Sequence, residues 1–312
     1  MKTLVIGGGG LIGSSLCESF SREFGKVQTP SMIPWSNTEK AISELRKTVK
    51  DFLLESVEER WIIAWCAGRG GFFSTSSDLE SEKNCMICVL DEISNSKNNN
   101  GIFFLTSSAG AIYTESSPQV FTENSSISIS NEYGRHKLNQ EIVVGQFARD
   151  TKTKCVIGRL VSIYGPNQNL QKSQGLISRL CLSTVYRQVT DIYVPLGTTR
   201  NYLYADDAAK MITDYLHFVD QSESPEPVFI KIFCSDLGVS ISSICRDVGL
   251  VAKQKVLVNT HVLINGKLYP PYFNIRSVSP PDLSGFCQTT LLAGIGNVYL
   301  AIHNRYKILG LT

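Results

Sequence analysis

Four consecutive glycines follow the first apolar run of the chain, and this pattern restricts the fold more than any other. The run "TLVIG" (3–7) is β-rich, and a helical pattern begins at Leu11. Gly7, Gly10 and Gly13 have the spacing GxxGxxG. Glycine is needed where a strand turns tightly into a helix and where a pyrophosphate approaches the backbone at the helix N-terminus. The pattern predicts a dinucleotide-binding turn; the alternative is a tight turn without a ligand.

Short β-rich runs alternate with longer helical patterns through the first two-thirds of the chain. The predicted strands are 3–7, 26–29, 61–66, 101–107 and 154–160, and the predicted helices are 11–24, 38–57, 77–97 and 131–149. Most of the strands are continuously apolar, as in parallel sheets covered on both faces. The alternation predicts an α/β fold with a Rossmann-type doubly wound parallel sheet. We expect a nucleotide-binding domain over 1–165 and a smaller C-terminal substrate-binding lobe over 166–312, from which 191–235 returns to the sheet.

The region after the second predicted strand is short. Between that strand and the one at 61–66 there is room for one good helix, and we interpret "PSMIPWSN" (30–37) as a short strand that replaces a complete helical unit. An acidic residue after the second strand would favour NAD, and an arginine would favour NADP. The sequence "VQTPSM" offers neither. The choice between NAD and NADP therefore stays open.

Charge and cysteine content limit the class of protein. A formal net charge of +2 gives no electrostatic case for nucleic acid or an anionic membrane as a partner. No apolar run reaches membrane-spanning length, and the chain begins with a predicted strand, so we expect neither a membrane segment nor a signal peptide. Nine cysteines without paired spacing favour a reduced, cytoplasmic location. Cys85 and Cys88 form a CxxC within a helical pattern that has no second pair, so we predict no metal site.

The segment "EYGRHK" (132–137) places a tyrosine and a lysine on one helix face. Tyr133 and Lys137 are four residues apart, close enough to interact. A free tyrosine titrates near pH ~10, and the ammonium is expected to lower that pKa and make Tyr133 a usable acid or base. The pair alone is common on helix surfaces. It gains weight because Ser107 and Ser108 end the central strand, where parallel sheets bind ligands and a hydroxyl can contact the reacting oxygen.

Taken together, these segments resemble the extended short-chain dehydrogenases/reductases, in particular the NAD-dependent epimerase/dehydratase family that acts on nucleotide sugars. The resemblance runs from Met1 to about residue 220. Its ordered matches are the glycine loop at 7–13, "AWCAG" at 64–68, "TSSAGAIY" at 106–113, "YGRHK" at 133–137, "RLVSIYGP" at 159–166 and "RNYLYADDAA" at 200–209.

The resemblance implies a nucleotide-sugar epimerase, or a related dehydratase or reductase, that works by hydride transfer with NAD or NADP. Tyr133 would transfer the proton, with Lys137 lowering its pKa and holding the nicotinamide ribose, and Ser108 would be the catalytic hydroxyl. The implied substrate contacts are Ser108, Ser162 and, at the diphosphate, Arg200. The implied cofactor contacts are Gly7, Gly10, Leu11, Ile12, Gly13, Cys66, Ala67, Gly68, Ser107, Tyr133 and Lys137. A homodimer is also implied, with a largely apolar four-helix interface of the helices at 77–97 and 131–149.

The sequence departs from the family pattern at three places. Aligned on Tyr113, Ala109 stands where the family has its catalytic serine or threonine, so Ser108 is the nearest hydroxyl. Ser162 replaces the usual asparagine of the YGP segment, and the ribose region is short. The Ala-Gly-Ala after Ser108 lacks the acidic pair of dehydratases, which favours epimerisation or reduction. Two alternatives stay open: an NAD(P)-dependent reductase or dehydrogenase of a non-nucleotide carbonyl compound, and a non-catalytic cofactor-binding protein.

Overall fold

The computed structural model describes residues 1–30, 32–68, 75–96, 98–114, 120–171, 174–235, 237–261 and 273–308. The strands are β1 (Lys2–Ile6), β2 (Val27–Gln28), β3 (Trp61–Trp65), β4 (Gly101–Ser108), β5 (Val120–Phe121), β6 (Lys154–Leu160), β7 (Ser162–Tyr164), β8 (Thr190–Ile192), β9 (Thr199–Tyr204), β10 (Val228–Phe233), β11 (Gly238–Ser240), β12 (Val258–Thr260) and β13 (Asn274–Ile275). The helices are α1 (Leu11–Phe24), α2 (Thr38–Glu55), α3 (Ser76–Ser96), α4 (Ala109–Ile112), α5 (Glu132–Thr151), α6 (Leu176–Val185), α7 (Ala205–Gln221), α8 (Ile241–Ala252) and α9 (Leu291–Ile308), with a 3₁₀ turn at Ser284–Phe286.

Six parallel strands form the central sheet, in the order β10-β6-β4-β3-β1-β2. The predicted doubly wound fold is confirmed, and α1 and β6 begin and end at the predicted residues. The edge strand β10 pairs with β6, so a part of the chain beyond residue 165 lies in this sheet. The division into domains at residue 165 stays a prediction.

Helices cover both faces of the sheet, which explains why its strands are continuously apolar. In β3, Ile62 and Ala64 pack with α1 and α7 on one face. Ile63 and Trp65 pack with α2, α3 and α5 on the other face. Since successive side chains of a strand point to opposite faces, both sets of positions must be apolar.

The first half of the sheet is shortened, as the sequence indicated. β2 is the edge strand beside β1, and α2 leads directly to β3 on the other side of β1. The interpretation of 30–37 as a strand is wrong for the residues described there, 30 and 32–37, which form loop and turn. Pro30 and Pro34 cannot donate to a strand ladder, which disfavours pairing. The segment instead packs Trp35 edge-on against Trp65, with 6.3 Å between ring centres, and Asn37 caps α2 by accepting from the Lys40 amide at 3.0 Å.

The C-terminal part adds a second, smaller core. Side chains of α6, α8 and α9 pack together with Tyr164 of β7 and Tyr204 of β9. β7, β9 and β11 form a three-stranded sheet, and the pairs β8–β12 and β5–β13 are short two-stranded sheets. This core stands next to the carboxyl ends of the central strands, because β7 follows β6 after one residue. Within the described ranges, no helix has the length and apolar character needed to cross a membrane.

The packing at the sheet centre gives a test of the fold. A Cβ added at Gly158 of β6 would lie 2.7 Å from the buried Phe104 ring and 3.1 Å from the Phe233 ring. We expect Gly158→Ala to lower the free energy of unfolding by about 1–3 kcal/mol through overpacking, measured by urea denaturation. Gly197→Ala is the matched control, since Gly197 is exposed and its Cβ would meet open space. Equal midpoints for the two variants would contradict this packing.

Candidate active site

The glycine turn between β1 and α1 has the geometry of a phosphate-binding turn. Gly7 has φ +93°, and a Cβ there would lie 2.5 Å from the Ala67 amide nitrogen. A Cβ at Gly13 would collide with the Gly7 carbonyl oxygen. Gly10 differs, because its φ is −83° and its Cβ would meet only the Gly7 oxygen, at 3.3 Å. Gly7 and Gly13 are therefore required by the protein's own packing, whereas a Cβ at Gly10 would meet the Gly7 oxygen alone and would otherwise face open space.

The N-terminus of α1 fits an anion. Gly10 is the N-cap residue and makes no side-chain capping hydrogen bond. The first amides of a helix have no partner within the helix, and they favour a phosphate there. Leu11 and Ile12, both half-buried, form the first turn beside these amides. The predicted cofactor contacts in this turn therefore lie together at a site suited to a pyrophosphate.

The residues that follow β3 form the next wall of this site. A Cβ on Gly7 would touch the Cys66 carbonyl carbon at 2.6 Å, and the Cys66 amide donates to the Ile6 carbonyl at 2.8 Å. Burial raises the pKa of the Cys66 thiol to about 12, so this cysteine stays protonated at neutral pH and acts as a neutral wall. Ala67 and Gly68 continue the loop next to it. The structure thus brings the predicted 66–68 contacts to the glycine turn.

A close approach of α5 to α4 places Tyr133 beside Ser108. Asn131 caps α5 by accepting from the Gly134 amide at 2.8 Å. A Cβ at Gly134 would collide with the Ala111 carbonyl oxygen, so only glycine permits this contact between α4 and the first turn of α5. Ser108 is the last residue of β4, and its hydroxyl lies close enough to the Tyr133 phenol to lower the pKa of that phenol. Lys137 Nζ lies 5.9 Å from the centre of the Tyr133 ring.

Lys137 lowers the pKa of the Tyr133 phenol, as predicted, but burial raises this pKa by more. Burial raises the pKa of the Tyr133 phenol above its usual range, against the lowering by the Lys137 ammonium. The Glu82 carboxylate raises this pKa further, and the nearby Ser108 hydroxyl lowers it. The expectation of a lowered pKa is therefore corrected, because desolvation of the phenolate outweighs the ammonium. At neutral pH Tyr133 is a phenol in this state.

Lys137 is held by groups that sequence reasoning missed. Its Nζ donates to Gln140 Oε1 at 2.9 Å and to the Thr106 carbonyl at 3.4 Å, and lies 3.5 Å from Glu82 Oε1. Glu82 lies on the buried stripe of α3, at a position where an apolar residue would be expected. The other members of that stripe are Leu79, Met86, Val89 and Ile93. A carboxylate at such a position was the signal available in the sequence.

Ser107 belongs to a different network. Its hydroxyl donates to Glu141 Oε1 at 2.6 Å, and Arg159 Nη2 donates to Glu141 Oε2 at 2.7 Å. Arg159 also donates to the Tyr113 hydroxyl. Ser107 therefore faces Glu141 inside the protein, while Ser108 faces Tyr133. Ala109, at the position of the family's usual hydroxyl, is fully buried in the apolar core.

Two adjoining cavities share part of their lining, and Tyr133 lines one of them. Ser108 and Tyr133 line a cavity of about 320 Å³, together with Gln168 and Tyr202. Arg200 lines a neighbouring cavity of about 340 Å³. Gly110, Val161 and Ser162 line both cavities.

Arg200 lines the cavity that Tyr133 does not line. Its guanidinium stands 5.3 Å from the centre of the Phe273 ring and donates to the Thr199 carbonyl at 2.7 Å. The three predicted substrate contacts thus line two adjoining cavities, Ser108 in one, Arg200 in the other and Ser162 in both. Both cavities are of the size that small-molecule sites have in proteins.

The CxxC is placed away from these cavities. Cys85 and Cys88 are buried in α3, and the Cys88 thiol donates to the Cys85 carbonyl at 3.1 Å. In the part of the chain that the structure describes, no group of His, Cys, Asp and Glu residues is arranged to hold a metal ion.

Known proteins resemble this chain in sequence and in structure. The model of the NAD dependent epimerase/dehydratase family matches residues 3–230. A dTDP-L-rhamnose 4-epimerase of Burkholderia thailandensis is 30% identical over 115 residues, which cover 36% of this chain and 30% of that protein. The match thus spans less than a third of this curated relative.

Solved structures agree with the chain over almost its whole length. The UDP-glucose 4-epimerase of Thermus thermophilus, in complex with NAD, has a TM-score of 0.76 at 17% identity, over 97% of this chain and 99% of that chain. The UDP-glucuronic acid 4-epimerase of Bacillus cereus, in complex with NAD, has a TM-score of 0.75 at 18% identity, over 98% of this chain and 100% of that chain. At this level of identity, the likeness establishes the fold.

Gly10 offers a clean test of the cofactor turn. We expect Gly10→Val to abolish binding of NADH and NADPH, because its side chain fills the space in front of the helix amides, while the fold has to yield by only a few tenths of an ångström at the Gly7 oxygen. Binding is measured by nicotinamide fluorescence titration, and thermal unfolding checks that the variant is folded. Gly285→Val is the control, since Gly285 also borders open space. Wild-type affinity in Gly10→Val would refute the assignment.

Proposed function

The chain belongs to the NAD-dependent epimerase/dehydratase family, and from this premise we propose that it is a nucleotide-sugar epimerase that uses NAD or NADP. The observation that carries the proposal is the assembly of Tyr133, Ser108 and Lys137 beside a cleft at the carboxyl ends of the central strands. Parallel α/β sheets bind their ligands at this edge. The NAD in the two solved epimerases supports the same cofactor here.

The proposed mechanism gives each side chain a separate task. Bound at the glycine turn, a nicotinamide cofactor would supply a reversible hydride acceptor. Tyr133 as phenolate accepts the proton of a sugar hydroxyl, and as phenol it returns a proton to the carbonyl oxygen of the keto sugar. Ser108 hydrogen-bonds that oxygen and the phenol in turn, and Lys137 supplies the positive charge that favours the phenolate. Arg200 holds the diphosphate, because its planar fork matches phosphate oxygens.

The C-terminal core supports a reaction that keeps its intermediate. Leu176 and Ile177 of α6 and Tyr202 of β9 line the cavity at Tyr133. The C-terminal core therefore forms one wall of the cavity at Tyr133, where it would shield a keto sugar from water. An epimerase returns the hydride to its own intermediate, so it has to retain this intermediate through the turnover.

Self-association through α3 and α5 stays a prediction. The exposed side chains of these helices include Glu80, Asn84 and Asp91 on α3 and Arg135 on α5, and Ile142, 57% exposed, is the one large apolar side chain among them in the described residues. The largely apolar four-helix interface expected from the sequence also stays a prediction. A cytoplasmic location also stays a prediction, and the cysteines support it, since none of those in the described residues forms a disulfide.

The hydroxyl assignment predicts two losses of activity. We expect Tyr133→Phe to lose nearly all turnover while remaining folded. Ser108→Ala should lower kcat by roughly 10²–10⁴-fold, the usual size of an acid–base contribution. Ser107→Ala is the matched comparison, because the Ser107 hydroxyl serves Glu141. Full activity of Ser108→Ala together with a large loss in Ser107→Ala would move the role to Ser107.

The redox balance separates an epimerase from a reductase. Calorimetric titration with UDP-, dTDP- and GDP-sugars first identifies a ligand. We then expect product to form with no net change in the absorbance of the reduced nicotinamide. Consumption of one cofactor per product would contradict the epimerase proposal and favour a reductase. Binding of none of these sugars, together with reduction of a simple aldehyde or ketone, would favour a non-nucleotide carbonyl substrate.

A further inference from the structure

A buried carboxylate of α3 reaches into the catalytic face of α5. Glu82 is 5% exposed, and its Oε1 accepts from Gln140 Nε2 at 3.1 Å. The same oxygen lies 3.2 Å from His136 Nε2 and 3.5 Å from Lys137 Nζ. Three inward-facing residues of α5 thus converge on one carboxylate from a neighbouring helix.

These contacts close a ring around the lysine. Lys137 donates to Gln140 Oε1, Gln140 donates to Glu82, and Glu82 pairs with Lys137. The Thr106 carbonyl of β4 accepts from the same ammonium at 3.4 Å. Acceptors from β4, α3 and α5 therefore fix the ammonium from three directions. Lys137 and Gln140 are both nearly inaccessible to water, so the ring has no solvent partner to replace a lost contact.

Electrostatics make the carboxylate the strongest of these partners. Burial acts to lower the pKa of the Lys137 ammonium, and Glu82 first, then Tyr133, raise it, so that its pKa lies above the usual range. A buried ammonium without a carboxylate would be costly and would neutralise or move. The charged or titratable groups that face Lys137 are Glu82 from α3, Tyr133 and Glu141 from α5, and Cys66 from the end of β3.

We propose that Glu82 is a positioning residue that holds the Lys137 ammonium in place beside Tyr133. The proposal rests on the proposed function only in giving Tyr133 and Lys137 their catalytic roles. Glu82 favours the Tyr133 phenolate by holding the lysine beside it. The charge of Glu82 itself raises the pKa of Tyr133 and so disfavours the phenolate.

The opposite signs make the proposal testable. Lys137 lowers the pKa of Tyr133 more strongly than Glu82 raises it. If Glu82 holds Lys137, the Glu82→Gln substitution removes the carboxylate and also displaces the ammonium from Tyr133. The lowering of the Tyr133 pKa by Lys137 is then lost along with the smaller raising by Glu82, so the pKa of Tyr133 rises. If Lys137 stays in place without Glu82, only the carboxylate is lost, and the pKa of Tyr133 falls.

The experiment is a titration of the full chain without added nucleotide. 3-Fluorotyrosine is incorporated throughout, because fluorine makes the phenol more acidic, and the ¹⁹F resonance of residue 133 is assigned by its loss in Tyr133→Phe. We expect the midpoint of this resonance to move to higher pH in Glu82→Gln, in the direction that Lys137→Met produces. Glu80→Gln is the matched control, since Glu80 lies on the same helix, 59% exposed, and should leave the midpoint unchanged.

A midpoint that moves to lower pH, or does not move, in Glu82→Gln would overturn the proposal. If that variant does not fold, Glu82→Asp keeps the charge but withdraws the carboxylate from the lysine; a rise again supports positioning, and an unchanged or lower midpoint overturns it. The titration needs no catalysis, so its outcome is independent of the proposed function. Full activity of Tyr133→Phe would refute that function, whereas an inactive Tyr133→Phe with a falling midpoint in Glu82→Gln would refute only this inference.

Discussion

The contact between Gly134 and the Ala111 carbonyl is the constraint on which the candidate site depends. It lets the first turn of α5 rest directly on α4, the single turn that follows β4. Ser108 is the last residue of β4 and Tyr133 lies in the first turn of α5, so this contact sets the distance between the two hydroxyl groups. Any side chain at residue 134 would lift α5 and separate them. The hydroxyl pair therefore depends on backbone packing rather than on loop conformation, which suits a site that needs fixed geometry.

The same helix carries an unusual load of buried polar groups. His136, Lys137, Gln140 and Glu141 all face the interior between the sheet and α3. Two ion pairs satisfy the charges, Lys137 with Glu82 and Arg159 with Glu141. Replacing a buried pair by apolar residues is often neutral or stabilising, so such pairs are weak evidence for stability. The pair of Glu82 with Lys137 lies beside Tyr133, with the ammonium 5.9 Å from the centre of the phenol ring, in line with the positioning role proposed for Glu82.

The parts of the fold that the sequence predicted are those governed by local patterns. Strands buried on both faces have to be continuously apolar, and the predicted bounds of β6 agree with the structure for that reason; α1 agrees because Gly10 and Gly25 mark its two ends. Segment 30–37 was misread because the short space before β3 suggested a strand that replaces a helical unit, whereas its prolines disfavour strand pairing and its Ile33 and Trp35 are apolar. Those two side chains pack into the core from a loop instead.

The candidate site also has parts that local sequence patterns predict and parts that depend on how the elements pack. The glycine turn and the Tyr133–Lys137 pair are visible as spacings within one element. The choice of Ser108 over Ser107 depends on which way each hydroxyl points at the end of β4, and here Glu141 takes Ser107. The net pKa of Tyr133 depends on burial, which spacing does not report. Glu82 lies far from Lys137 along the chain, so its role becomes visible only when α3 packs against α5.

The two ends of the candidate cofactor site differ in how closely they keep the family pattern. The end that contains Ser108 and Tyr133 is built from β4, α4 and α5, and its residues keep the order of the family motifs. The other end is built from β1, β2 and the glycine turn, where the sheet ends at β2, a strand of two residues. Thr29 directly follows β2, and its methyl group would lie 2.8 Å from a Cβ at Gly8. A neutral side chain thus stands beside the glycine turn where many dinucleotide-binding folds carry an acid or an arginine, so discrimination between NAD and NADP has to come from other groups around the ribose.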